Sequence, residues 1–146
     1  MATNAERLIA AMGPIFDAEL ATEAQTASEQ VDRLERSLRT IAAESLVTVM
    51  AGDETFRTEK VGMGGFVEAW RDWLAPYERY RIEPEEMIDR GDRVVIMVRQ
   101  HGTPRGGGHE IEQPSAAVWF FRDDALVRVE FHLAREAALR AAGIEE

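Results

Sequence analysis

The run AAVWFFRDDALVRVEFHL, residues 116–133, constrains this chain more than any other stretch. Two segments rich in β-branched and aromatic residues flank the short polar pair Asp123-Asp124, which predicts a β-hairpin. With Arg122 facing Ala125, pairing inward sets Phe120 opposite Val127, Val118 opposite Val129 and Ala116 opposite Phe131. That face is wholly apolar and is assigned to the core. The other face, with Trp119 opposite Arg128, Ala117 opposite Glu130 and Ser115 opposite His132, is mixed and half-wet. Because side chains alternate along a strand, a bulge or one-residue slip exchanges the two faces.

Upstream, VVIMVRQHG (residues 94–102) reads as the neighbouring strand, followed by the loop GTPRGGGH and the segment EIEQPS. Continuing the ladder pairs His101 with Glu110, Arg99 with Glu112 and Met97 with Pro114. This puts Arg99, His101 and Glu112 together at the polar end of the apolar inner row. YRIEPEEMID is expected to be an edge strand, since Pro84 has no N–H to give a ladder.

The first 45 residues read as helix. Leu8, Ile9 and Met12 open a short stripe that Gly13-Pro14 interrupts, after which a helix can restart. Val31, Leu34, Leu38 and Ile41 carry the clearest amphipathic helix, with Thr26 and Glu29 in capping-box positions. LVTVM is a short strand, and AGDETFRTEKVGMGG is expected to be a loop. Phe66, Trp70, Trp73, Leu74 and Tyr77 share one helical face. At the C-terminus, AREAALRAA stops at Gly143, with Ile144 placed for a hydrophobic contact. Helices followed by strands describe an α+β domain.

Composition removes several classes of function. With 17 basic against 27 acidic residues and a formal charge of -10, the chain repels a phosphate backbone, so nucleic acid is not an expected partner. Cysteine is absent, which removes disulfides and thiolate metal sites. No stretch has the roughly 18 apolar residues of a membrane span, and the opening MATNAERLIAAMG lacks the pattern of a signal peptide. A cytoplasmic location is expected, with no membrane partner. RGGG lacks the strand, lysine and helix context of a phosphate cradle. Glu130 and His132 sit two apart on one strand, but three histidines without thiols make a poor metal set, and neither metal nor cofactor is expected.

The segments RIEPEEMIDRGDRVVIMVRQHG and AAVWFFRDDALVRVEFHLAREAALRAAG together resemble the SnoaL-like branch of the nuclear transport factor 2-like superfamily. The resemblance covers roughly residues 64–144; the first 60 residues match in helical character alone. It implies a single SnoaL-like domain over residues 1–146, an α+β cone in which a curved antiparallel sheet wraps around N-terminal helices and leaves an apolar cavity, and a homodimer through the outer face. Trp119, Arg128, Glu130 and Ser115 are expected to form that contact. Family members include polyketide cyclases, ketosteroid isomerases, epoxide hydrolases and dehydratases, so the fold does not choose a reaction. Of the epoxide hydrolase Arg-x-Asp pattern, Arg99 remains and His101 replaces the aspartate. The second aspartate falls at Phe131, and the tyrosine and asparagine fall near Val47 and Val49.

Two functional readings follow. In the first, the chain binds a small apolar ligand in a cavity lined by Trp70, Trp73, Tyr77, Met97, Pro114, Ala116, Val118, Val129, Phe131 and Leu133. In the alternative, it is an isomerase, lyase or hydrolase, with Arg99 anchoring an oxygen-bearing ligand while His101 and Glu112 exchange protons with it. A third reading is a purely structural dimer, in which Arg99 and Glu112 form no more than a cross-strand ion pair and the aromatic stripe is plain core.

Overall fold

The computed structural model describes residues 2–13, 15–16, 19–21, 24–52 and 56–144, with the side chains of residues 19–28 outside the description. Among the described residues four helices, α1 (Asn4–Met12), α2 (Ala24–Leu38), α3 (Gly62–Leu74) and α4 (Arg135–Ala142), accompany seven strands. The strands are β1 (Glu19–Ala21), β2 (Ala42–Ala51), β3 (Arg57–Val61), β4 (Tyr77–Asp89), β5 (Arg93–Pro104), β6 (Ile111–Arg122) and β7 (Ala125–His132). They form one curved sheet in the order β1-β4-β5-β6-β7-β2-β3. The pairing is antiparallel except between β2 and β7, which run parallel, so the sheet is not purely antiparallel as expected.

α1, α2 and α3 fill the concave side. Leu8, Met12, Val31, Leu34, Leu38, Phe66 and Trp70 pack there against Val94, Ile96, Trp119, Leu126 and Val129 of the sheet. Thr3 caps α1 in a reciprocal box, its hydroxyl accepting from the Glu6 N–H at 3.1 Å while its own N–H donates to Glu6 Oε1 at 3.0 Å. The same helix is tied to two distant turns. The Asn4 side-chain amide donates to the carbonyls of Gly91 and Asp123, and Arg7 donates to the Asp124 carbonyl at 2.6 Å. α1 thereby closes the end of the cone where both hairpins turn.

Several local expectations need correction. β1 occupies part of the stretch where a helix was expected to restart, and the next helix begins at Ala24. Thr26 and Glu29, expected at the N-cap end, lie inside α2, which already begins at Ala24. The expected loop after LVTVM contains β3 and the start of α3. β4 is not an edge strand, because β1 covers Arg79 to Arg81. Pro84 nevertheless sits at a register shift against β5, where its missing N–H does no harm.

The largest correction concerns the hairpin. Arg122 does face Ala125, but a shift between Phe120 and Phe121 leaves Val127 as an extra residue: Phe121 pairs with Leu126 and Phe120 with Arg128. Trp119 then faces Val129 and Ala117 faces Phe131. β7 keeps Val129 and Phe131 inward as expected, while β6 turns over and presents Ala117, Trp119 and Phe121 to the core. β5 inherits the reversal through its ladder with β6, where Val94 pairs with Trp119, Met97 with Ala116, Arg99 with Pro114 and His101 with Glu112.

The row that was expected to face the core is buried all the same. α4 lies across the convex side, and its Ala138, Leu139 and Ala142 cover Val95, Ala116 and Val118, with Met97, Phe120 and Ile144 packed around them. Gly143 ends α4 in the left-handed conformation, and the Ile144 N–H reaches back to the Leu139 carbonyl at 2.9 Å, which seats Ile144 in this second cluster.

Charges gather on the convex side. On β7, Arg128 Nε donates to Glu130 Oε2 at 2.6 Å, and His132 Nε2 lies 2.9 Å from Glu130 Oε1. The His132 hydrogen bond, followed by the Arg128 guanidinium, lowers the Glu130 carboxyl to a pKa of about 2 against the opposing effect of burial. A carboxyl depressed in the folded chain adds stability above its unfolded value, and this stability is lost as pH falls through the folded value.

Two predictions follow from this architecture. Deleting Val127 forces β6 or β7 to turn its apolar row outward and should abolish the cooperative thermal transition, whereas Val127→Ala should change stability by less than about 1 kcal/mol. Glu130→Gln should cost roughly 1–3 kcal/mol near neutral pH. In denaturant titrations its deficit should shrink as pH falls from about 4.5 toward about 2.

Candidate functional site

A partly open cavity lies between α1, α3 and the concave face of the sheet. Its free space, with the open solvent at the mouth included, is about 660 Å³. Its lining is overwhelmingly apolar. Met12, Trp70 and Trp73 come from the helices, Ile82, Ile96, Val98, Trp119 and Phe131 from the sheet, and Phe16, Phe56 and Leu133 from the connecting segments. Phe131 stands edge-on to two indoles at once. Its ring centroid is 5.6 Å from that of Trp70 at 85° and 5.7 Å from that of Trp119 at 83°, the edge-to-face geometry that aromatic quadrupoles favour.

Polar groups enter this lining as one connected chain. Trp73 Nε1 donates to the Tyr80 hydroxyl at 2.9 Å, Tyr80 donates to Gln100 Oε1, and Gln100 Nε2 donates to Ser115 Oγ at 2.7 Å. Burial pushes the Tyr80 phenol well above its usual pKa, with the Trp73 hydrogen bond pulling the other way, so the hydroxyl stays neutral and keeps a proton to donate. Tyr80, Gln100 and Ser115 stand on three adjacent strands, each pointing to the concave side by the register that Val127 sets.

Two polar atoms of the lining residues are unsatisfied. Trp70 Nε1 and Trp119 Nε1 are buried without a hydrogen-bond partner. An indole N–H only donates, and leaving one dry and unpaired costs on the order of 1–3 kcal/mol.

The residues expected from sequence divide between the two sides of the sheet. Trp70, Trp73, Ala116, Phe131 and Leu133 line the cavity. Tyr77 is not among the lining residues; its ring stacks behind them, 5.2 Å from that of Tyr80. Val129 lies in the concave core outside the lining, while Met97 and Val118 belong to the cluster beneath α4. Pro114 is exposed opposite Arg99. Arg99, His101 and Glu112 all lie on the convex side, away from the cavity. Arg99 pairs with Glu85 at 3.3 Å rather than with Glu112, which lies 3.3 Å from His101 Nδ1. Trp119, placed on the outer face by the sequence reading, is instead 1% exposed in the core, so it cannot form a dimer contact. Ser115 likewise turns inward, to Gln100.

Sequence reasoning missed Tyr80, Gln100, Ser115 and Trp119 as pocket residues. Residues 94–98 are apolar at every position, so alternation carries no sign of which row faces in. The signal that existed was Gln100 itself, a neutral polar side chain continuing the row Val94, Ile96, Val98.

Among the described residues no helix is long and apolar enough to cross a membrane. No curated protein matches the sequence. Solved structures resemble it in fold. An NTF2-like protein of unknown function from Burkholderia pseudomallei K96243 superposes with a TM-score of 0.66 at 16% identity, covering 96% of this chain and 97% of that one. A putative SnoaL-like polyketide cyclase from Jannaschia sp. CCS1 gives 0.64 at 13% identity, covering 88% and 83%. TerC, co-crystallised with polyporic acid, gives 0.66 at 19% identity, covering 93% and 95%. The SnoaL-like domain model matches residues 24–129, a span that holds α2, α3 and the sheet from β2 into β7, and this chain therefore belongs to the SnoaL-like family of NTF2-like α+β cones.

Proposed function

We propose that this protein binds a small, flat, largely apolar molecule carrying hydrogen-bond acceptor oxygens, held in the concave cavity whose lining includes Trp70, Trp119 and Phe131. The observation that carries this reading is the pair of unpartnered indole N–H groups on two residues lining an otherwise apolar pocket. A carbonyl, quinone or ether oxygen that reaches either indole nitrogen would supply the missing acceptor, while a hydrocarbon of the same outline would leave both donors unpaired. The chain of Trp73, Tyr80, Gln100 and Ser115 is satisfied within itself apart from spare lone pairs and protons, so it orients a ligand oxygen without a buried charge. TerC, a fold relative, has been crystallised with polyporic acid, which supports a cone of this kind accepting an organic molecule.

Binding is favoured over acid/base catalysis because Arg99, His101 and Glu112 stand on the opposite face, and the cavity's most polar groups are the neutral Tyr80, Gln100 and Ser115. His132 is the one titratable member of the lining besides Tyr80, and its Nε2 is engaged with Glu130. We further propose a homodimer in the cytoplasm. The family resemblance supports the dimer, and the acidic, cysteine-free composition supports the location. Light scattering showing only monomer at tens of micromolar, on the order of concentrations where family-type interfaces persist, would remove the dimer.

The ligand reading is tested by calorimetric titration with a matched pair of probes, naphthalene and 1,4-naphthoquinone. The quinone should bind about tenfold more tightly, equivalent to one net hydrogen bond of roughly 1.4 kcal/mol. Trp70→Phe or Trp119→Phe, which keep a ring in place and remove the donor, should erase much of that preference. Equal affinity of the parent protein for both probes would refute the reading.

A further inference from the structure

A separate cluster on the convex side carries an inference of its own. The His101 side chain is 7% exposed, yet three carboxylates surround its ring: Glu83 from β4, Glu110 from the end of the glycine-rich loop and Glu112 from β6. Nε2 lies 3.2 Å from Glu83 Oε1, while Nδ1 lies 2.9 Å from Glu110 Oε1 and 3.3 Å from Glu112 Oε1. Carboxylates accept and do not donate, so each ring nitrogen needs a proton or a cation between itself and its neighbours. When Nε2 carries the ring proton and donates it to Glu83, Nδ1 presents a bare lone pair to two anions.

We propose that His101 Nδ1, Glu110 and Glu112 form a binding site for a divalent transition-metal cation, with Zn²⁺ the best fit. Three features of the arrangement point to it. The ligand atoms of these three residues lie within 4.8 Å of one another. With metal–ligand bonds of about 2.1 Å in tetrahedral geometry, neighbouring ligand atoms stand about 3.4 Å apart, close to the two distances measured from Nδ1. Glu83 occupies the outer position that metal-binding histidines characteristically use, accepting the proton of the other ring nitrogen and so fixing the tautomer that frees Nδ1.

The site does not touch the cavity. Its effect would be mechanical, joining Glu110 and the loop that carries Gly106, Gly107 and Gly108 at positive φ to the buried end of β5. Three protein ligands leave one tetrahedral position for water or for exposed His109 of the same loop.

The test is calorimetric titration of the untagged, chelator-treated full chain with ZnCl₂, paired with thermal melting. One equivalent should bind at micromolar or lower concentration and raise the melting temperature. Glu110→Gln and Glu112→Gln, both at exposed positions where folding is not at stake, should each weaken binding at least tenfold, and His101→Gln should do the same. Co²⁺ in place of Zn²⁺ should give a visible absorption band that Glu110→Gln abolishes. Absence of uptake at 100 µM, on the order of the weakest useful site, would overturn the proposal and leave the cluster as hydrogen bonds between the ring and its carboxylates. Uptake unchanged by the glutamate variants would overturn it as well.

Discussion

The one-residue bulge at Val127 is the constraint on which the site depends. A strand has only two faces, and the register of β6 against β7 decides which residues of β6 see the helices. The ladder from β6 to β5 then transmits that choice without further freedom, because ten consecutive residue pairs run from Arg93–Phe120 to Gly102–Ile111 without interruption. Trp119, Gln100 and Tyr80 reach the cavity, and His101 leaves it, through this single inserted residue. The bulge is tolerated because α4 stands ready on the other side. With Leu139 and Ala142 covering Val95 and Val118, the convex row is as dry as the concave one, so neither orientation of the apolar residues is wasted.

Burial on both faces separates the polar chemistry of the molecule into two kinds. Inside the cone runs a linked chain of neutral groups, indole, phenol, amide and hydroxyl in sequence from Trp73 to Ser115, with the His132 imidazole also in the lining. Outside stand the charges, with Arg128 between Glu59 and Glu130, Glu85 between Arg99 and Arg135, and His101 among three glutamates. An unpaired charge in the cavity would carry a desolvation cost of several kcal/mol, whereas a neutral donor costs about 1–3 when unpaired and regains it when a ligand oxygen arrives. This difference in cost is the basis of the uncharged, oxygenated ligand proposed for the pocket.

Membership of the SnoaL-like family accounts for the cone and leaves the occupant of the cavity to the side chains. Fold relatives at 13–19% identity span a protein of unknown function, a putative cyclase and a protein crystallised with an organic acid, which is the diversity expected when one scaffold hosts different sites. In this chain the cavity carries the edge-to-face contacts of Phe131 with Trp70 and Trp119 and the hydrogen-bonded chain from Trp73 to Ser115.

What the sequence determined by itself is what depends on local chemistry. The spacing of Val31, Leu34 and Leu38 made a helix, Asp123-Asp124 turned a hairpin, Gly143 stopped α4, and the aromatic stripe of α3 supplied Trp70 and Trp73 to the cavity. Tertiary structure alone decided orientation. Residues 94–98 and 116–121 are almost uninterruptedly apolar because helices cover both sides of β5 and β6, and a strand buried on two faces carries no alternation to mark its inner one. The position of a bulge depends on how twist and packing are shared among β6, β7 and α4, a balance spread over residues distant in the chain. Nothing in the local pattern around Val127 sets it apart from the valines beside it, so the side on which His101 and Glu112 emerge became visible only when the whole sheet was assembled.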